Sequence, residues 1–332
     1  MESVGKVIFG ISAPQIHQEL PIDPAEIQTY IQQAEGFGFH SLWVLEPFGL
    51  RAPSLLESLS LLNYAAALTR KIKLGTAVLA LPLRSPVHLA KSIATLDQLS
   101  HGRVIVGVGL GGDPSIFPAY GITKEHRLGR LLESVTLMQR LWMEDRVTFN
   151  GRFAQMEDAP VLPKPFQKPY PPIWFGGSAP AALRRAAKLG TGFICGGSTS
   201  TAQFKEQVET VYRALDEAKR DPATFTISKR VFIAVDKNRE RAKRQLQEWF
   251  GLYYNKPQFA ERAGIYGSRE ECADQLAAVA AAGADMIILN TVADLMNQLH
   301  LLGEEVVPLF EPEVSGTEPP VVREPETIYA HA

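Results

Sequence analysis

Several features are scarce in this 332-residue chain, and each scarcity removes a class of protein. Cysteine occurs only twice, at Cys195 and Cys272, far apart and in no metal-ligand spacing, so neither a disulfide scaffold nor a zinc module is expected. Two reduced thiols suit a cytoplasmic protein. Neither sign of charge dominates: 34 Lys and Arg face 36 Asp and Glu, a formal net charge of -2, which gives no basis for capturing nucleic acid or an anionic membrane surface. No apolar run approaches the roughly 20 residues of a membrane span. The start, MESVGKVIFG, lacks a long apolar core behind a basic head and does not read as a secretory signal. There is no repeat at a period of 20–50 residues. The seven histidines form no metal-ligand pair and no Ser-His-Asp pattern, so no metal site is expected.

What is present is a series of short, uniformly apolar strands separated by helical patterns. The strands are expected at Val7–Ile11, Ser41–Leu45, Ile72–Val78, Val104–Val108, Pro172–Gly177, Gly192–Cys195, Phe225–Val235 and Ala284–Leu289. A further strand over Val147–Phe153 carries a hairpin signal at Asn150-Gly151. Residues 73–113 organise the rest. A strand, a helix opening at Ser85 or Pro86, and a second strand running into Gly107, Gly109, Gly111 and Gly112 make a βαβ unit, which forces a parallel pair. Uniformly apolar runs suit a parallel sheet covered on both faces. The α/β pattern is best met by a closed (β/α)8 TIM barrel over residues 1–310. The alternative is an open doubly wound sheet, but its glycine fingerprint should follow the first strand, where the chain reads Ser12-Ala13-Pro14. Residues 311–332, rich in Pro and Glu, read as a flexible tail.

In such a barrel the chemistry gathers at the carboxyl ends of the strands. That rule selects Ser12, Glu46, Thr76 to Leu79, Gly109 to Asp113, Gly176 to Ser178, Cys195 to Ser198, and Asn290. Thr76, Ala77 and Val78 are small enough for a planar ring to rest against the backbone, or they simply end a strand. Gly176, Gly177 and Ser178 lead into a helix near Ala181, whose exposed N–H groups favour a phosphate. Gly196 and Gly197 repeat the pattern. Glu46, at the end of a buried strand, can bind a ring or carry a proton. Asp113 stands similarly after the glycine cluster. His17, His88 and His126 lie in or beside loops on the same rim, and the surface-residue reading competes for each. Loops over residues 48–54, 114–121 and 251–266 would form the lid over the substrate.

These residues resemble the luciferase-like superfamily of flavin- and deazaflavin-dependent oxidoreductases. The resemblance runs through LGTAVL (74–79), LPLRSP (81–86), A-x-L-D-x-L-S-x-G-R (94–103), GVGLGGD (107–113), Arg130 with Glu133, LW (141–142), PPIWFGG (171–177), ALRRAAKLGTGFI (182–194), GADMIIL (283–289) and GEEVVPLF (303–310). It implies a TIM barrel with a non-prolyl cis peptide around Ala77-Val78, over which the ring bends. The implied ring contacts are Glu46, Thr76, Ala77, Val78 and Asp113; the phosphate contacts are Gly176, Gly177, Ser178 and Ala181. The nearer branch uses coenzyme F420 and moves a hydride to or from a small organic substrate. The alternatives are an FMN-dependent monooxygenase, and a barrel that binds a flavin without catalysis. A homodimer is expected by analogy. The chain departs from its sugar-phosphate-oxidising relatives. Pro47 follows Glu46 where a His is usual. The loop after strand four, where those relatives carry an acid, reads Gly112-Asp113-Pro114, with Asp113 where Asn is common, and Gly196 to Ser200 contains no Lys. His17 or His126 is the candidate substitute for the absent histidine.

Overall fold

The computed structural model describes residues 7–17, 20–46, 54–112 and 114–310. Eight parallel strands close on themselves: β1 (Ile8–Ser12), β2 (Ser41–Val44), β3 (Lys73–Thr76), β4 (Val104–Gly109), β5 (Ile173–Gly176), β6 (Gly192–Cys195), β7 (Thr226–Val235) and β8 (Met286–Thr291). Each pairs with its neighbour in sequence, and β8 returns to β1 with Met286 opposite Ile8. This is the closed barrel that the pattern of apolar strands predicts. The expected tail and most of the first lid loop lie outside the described residues, as does Asp113. Among the described residues no helix is long and apolar enough to cross a membrane.

Side-chain alternation along the strands divides the core into two layers. Outward residues such as Phe9, Leu42, Leu74, Val106 and Phe193 pack under the helices. Inward residues, Trp43, Ile105, Trp174, Ile194, Met286 and Ile288, fill the barrel. Two indoles dominate that filling, Trp43 and Trp174, with ring centroids 5.5 Å apart. They fit because glycine faces them: a side chain at Gly10 or Gly75 would collide with Trp43. At the lower rim Arg103 ties the strands together by donating to the carbonyls of Ala66, Thr69, Ile72 and Ser100.

Local sequence sets the helix ends. Asp23, Ser85, Ser200 and Ser268 each cap a helix through the side-chain oxygen, and Ser200/Gln203 and Ser268/Glu271 form full capping boxes. One segment differs from expectation. Residues 251–266, read as an irregular lid, continue the helix Arg239–Tyr254, add a short helix Phe259–Ala263, and end in the strand Gly264–Gly267. The reason is the length of β7: its far half, Phe232 to Val235, projects beyond β6 and pairs with that strand. Phe250, Tyr254 and Phe259 then cover Phe232 as a small separate core.

Candidate active site

The carboxyl ends of β3, β4 and β5 meet at one point. β3 ends at Thr76, whose hydroxyl and the Gly107 backbone bond each other in both directions at 2.9 Å. The next peptide, Ala77-Val78, is cis. The chain then returns to the sheet at Leu79–Ala80, which pairs with Val108 and Gly109. The Val78 side chain lies over the two glycines across from it. A methyl group at Gly109 would stand 2.7 Å from Val78 Cγ2, and one at Gly176 would stand 2.9 Å from Cγ1. Side chains on those strands would fill the bed; glycine leaves it shallow. Thr76, Ala77, Val78, Gly109 and Gly176, selected from sequence, are therefore brought together.

Beyond Gly176 the chain opens. Gly177, with φ of +154°, adopts a conformation few side-chain-bearing residues share, and a methyl there would meet the Ala182 Cβ at 2.8 Å. The helix Pro180–Leu189 follows with no side chain capping it, so the first-turn N–H groups around Ala181 keep their capacity for an anion. Ser178 and Ala181 are exposed there. The second glycine pair differs. The helix after Gly196 and Gly197 is already closed by its Ser200/Gln203 capping box. A methyl at Gly197 would stand 2.5 Å from the Phe232 ring, whereas nothing lies within 4 Å of one at Gly196.

Glu46 sits beside the bed but is fully engaged. It accepts from Arg84 at 2.6 and 2.9 Å and from the Ala80 N–H at 3.1 Å, with 9% of its side chain exposed. Arg84 also bonds Glu57 at 2.8 Å. Burial opposes the charge on Arg84, but the two carboxylates outweigh it and hold the guanidinium above its ordinary range. The same contact helps hold Glu57 below the usual carboxylate range despite its burial. In this arrangement the Glu46 carboxylate holds the returning chain beside the bed.

The two candidate histidines are held elsewhere. His17 Nε2 lies 3.0 Å from the Pro14 carbonyl, which can only accept, so Nε2 is the donor of that bond. Arg152 Nη2 lies 3.1 Å from His126 Nε2; because a guanidinium only donates, that nitrogen is the acceptor. His126 also packs on Phe153 of the hairpin, with centroids 5.8 Å apart.

Sequence reasoning passed over two adjacent cations on β7, one of which reaches the bed. Arg230, on β7, donates to the carbonyl of Ala77 at 3.1 Å and to the Tyr254 hydroxyl at 3.2 Å. Its Nε is buried without a partner. It therefore reaches across the barrel to the bed, and among the described residues no carboxylate pairs with it. Lys229, 1% exposed, donates to the carbonyls of Gly196 and Arg230 at 2.8 and 2.9 Å. Burial pushes its pKa down to about 8. The signal was legible: two adjacent cations interrupt an otherwise apolar barrel strand, and alternation turns one of them inward.

A closed parallel barrel with a backbone bed at one rim and an uncapped helix start beside it is an α/β barrel whose chemistry would sit at the carboxyl ends of the strands. The chain belongs to the family of luciferase-like monooxygenases, whose model matches residues 4–286. It is similar to an F420-dependent glucose-6-phosphate dehydrogenase of Kineococcus radiotolerans, 35% identical over 204 residues that make up 58% of each chain. A dehydrogenase of the same description from Nakamurella multipartita is 32% identical over 73% of this chain and 72% of its own. Against the first of these, the match spans little more than half of the relative's length. A solved F420-dependent secondary alcohol dehydrogenase shares the fold, with a TM-score of 0.82 at 21% identity, over 92% of this chain and 100% of that one.

Proposed function

We propose that this protein is an oxidoreductase that binds coenzyme F420 and exchanges a hydride between it and a small organic substrate. The observation that carries the reading is the bed itself: the Ala77-Val78 turn lies over Gly109 and Gly176, with an uncapped helix start next to it. Glycine at 109 and 176 keeps the bed shallow enough for a tricyclic ring to lie against Val78, with Arg230 reaching the Ala77 carbonyl at its edge. Thr76, Ala77, Val78, Gly109 and Asp113 would hold the ring. Gly176, Gly177, Ser178 and Ala181 would hold the phosphate, with the second glycine pair, Gly196 and Gly197, at the adjacent strand end. When bound, the deazaflavin supplies the hydride-carrying carbon.

The protein's own residues supply position and field. Arg84 and Glu46 fix the chain that leaves the bed, so the ring meets a preformed surface. Arg230 lays a positive charge against the carbonyl side of the bed. His17, whose Nε2 bonds the Pro14 carbonyl, is the imidazole this reading assigns to proton transfer. Gly196 to Ser200 contains no Lys of its own; Lys229 and Arg262 reach the carbonyls of Gly196 and Ser198 from neighbouring elements, so the substrate is left as a small organic molecule on this reading. The buried, unpaired thiols of Cys195 and Cys272 suit a reducing cytoplasm, and a homodimer is carried over from the family resemblance. Titration of the purified protein with F420 and with FMN, followed by absorbance, tests the reading. Saturable F420 binding at micromolar concentration, tighter than FMN, is expected. Tight FMN binding with substrate-dependent oxygen uptake would replace it by the monooxygenase reading, and binding of neither would end it.

A further inference from the structure

The mouth holds more than the ring bed. Beside it, at the ends of β8, β1 and β2, lies a cavity of about 160 Å³ walled by Ser12, Trp43, Leu45, Trp249, Asn290 and Val292. The bed belongs to β3, β4 and β5, so the cavity occupies the other half of the same rim. Its volume is close to that of a cavity of about 150 Å³ known to admit benzene. A ligand of about six non-hydrogen atoms is the size it takes.

Thr291 and Asp294 also line it, and several of its other polar groups are already spent on the protein. Gln15 is spent: its amide donates to the carbonyls of Leu45 and Leu56 and its oxygen accepts from the Leu45 N–H. Asn290 donates to Ile288. The Trp43 indole N–H goes to the Ser41 hydroxyl at 2.7 Å. Trp249 is different, because its Nε1 is buried with no acceptor among the described residues. The ring is not loosely placed: it stacks on Tyr253 with centroids 4.1 Å apart and packs on Phe232 at 5.8 Å. An indole N–H donates and cannot accept, and leaving it unpaired in a buried position costs about 1–3 kcal/mol. The group that answers it is one that only accepts.

Building on the proposed function, we propose that this cavity is the substrate pocket, and that it takes a compact molecule whose carbonyl oxygen accepts from Trp249 Nε1. The apolar wall of Trp43, Leu45 and Val292 holds the carbon skeleton, and Trp249 sets which atom faces it. A preformed, mostly apolar pocket with one fixed polar contact is how small-molecule sites gain orientation.

The test uses the full-length protein labelled with ¹⁵N. The chain has four tryptophans, so four indole N–H signals are expected, and the one missing in Trp249→Phe belongs to Trp249. Cyclopentanone is titrated with F420 present and absent, and benzene serves as the apolar control. The Trp249 signal should move downfield saturably with the ketone and not with benzene. Trp249→Phe should weaken the ketone about three- to tenfold, the value of one hydrogen bond, and leave benzene within about twofold. Should that variant fail to fold, Ser12→Leu, which fills the cavity from β1, should abolish the shift. The proposal is overturned by a Trp249 signal unmoved by the ketone, as water alone in the cavity would leave it, or by equal loss of ketone and benzene. F420 binding is read separately by absorbance. A ketone shift without F420 binding would retire the cofactor reading and keep the pocket.

Discussion

Lys229 offers the sharpest physical test of the mouth, because its ammonium is buried and its cost can be calculated. The pKa falls from 10.5 to about 8 through burial, while Cys195 favours the charge and Arg230 opposes it. The unfolded chain therefore binds more protons than the folded one between about pH 8 and 10.5, and stability contributed by this group rises with pH across that window. Below pH 8 both states are protonated and the full penalty applies; above 10.5 it has gone. The whole difference is about 3 kcal/mol, and about 2 kcal/mol of it should be recovered between pH 7 and 9.5. The perturbation is Lys229→Met, in a Cys195→Ala background that keeps the neighbouring thiol from titrating. Urea unfolding at pH 7, 8.5 and 9.5 should show the parent gaining about 2 kcal/mol on the variant as pH rises. Parallel curves, or a variant that gains on the parent, would refute the claim that this ammonium is held charged at a desolvation cost. At pH 7 the sign of the absolute difference also reflects the Gly196 and Arg230 carbonyls, which lose their donor in the variant.

Two further substitutions probe the bed. Arg84→Met leaves the Glu46 carboxylate with only the Ala80 N–H, and should cost about 2 kcal/mol, between the value of a surface pair and that of a fully buried one. Thermal unfolding checks it, and F420 affinity should fall with stability because the chain leaving the bed is released. Gly107→Ala would drive a methyl into the Thr76 carbonyl oxygen and should cost about 1–3 kcal/mol by overpacking. In that variant, ring binding measured by absorbance should be lost before the fold is, whereas unchanged F420 affinity would mean the bed lies elsewhere.

The barrel was legible because its cause is repeated along the chain. Most barrel strands are short apolar runs of buried residues, and several of the intervening helices carry their own capping signals, so these readings agree on one closed sheet. The bed was legible for a related reason: glycine at 109 and 176 is a backbone requirement that shows in the sequence itself. The motifs that carried the family resemblance divide by role once placed. Asp97 accepts from Gln167 and Glu133 from three consecutive backbone N–H groups of the hairpin, so these acids hold structure together. What sequence order concealed were contacts between distant strands. Glu46 reads as a free rim acid until Arg84, 38 residues on, is seen to hold it. The stretch after β6 reads as lacking a cation until β7 supplies Lys229 beside Cys195. Arg230 meets the Ala77 carbonyl 153 residues earlier in the chain, a pairing that only closure of the barrel creates. The residues nearest the chemistry are therefore the ones that local pattern describes least, since a closed barrel brings together on its rim the ends of strands that the sequence keeps farthest apart.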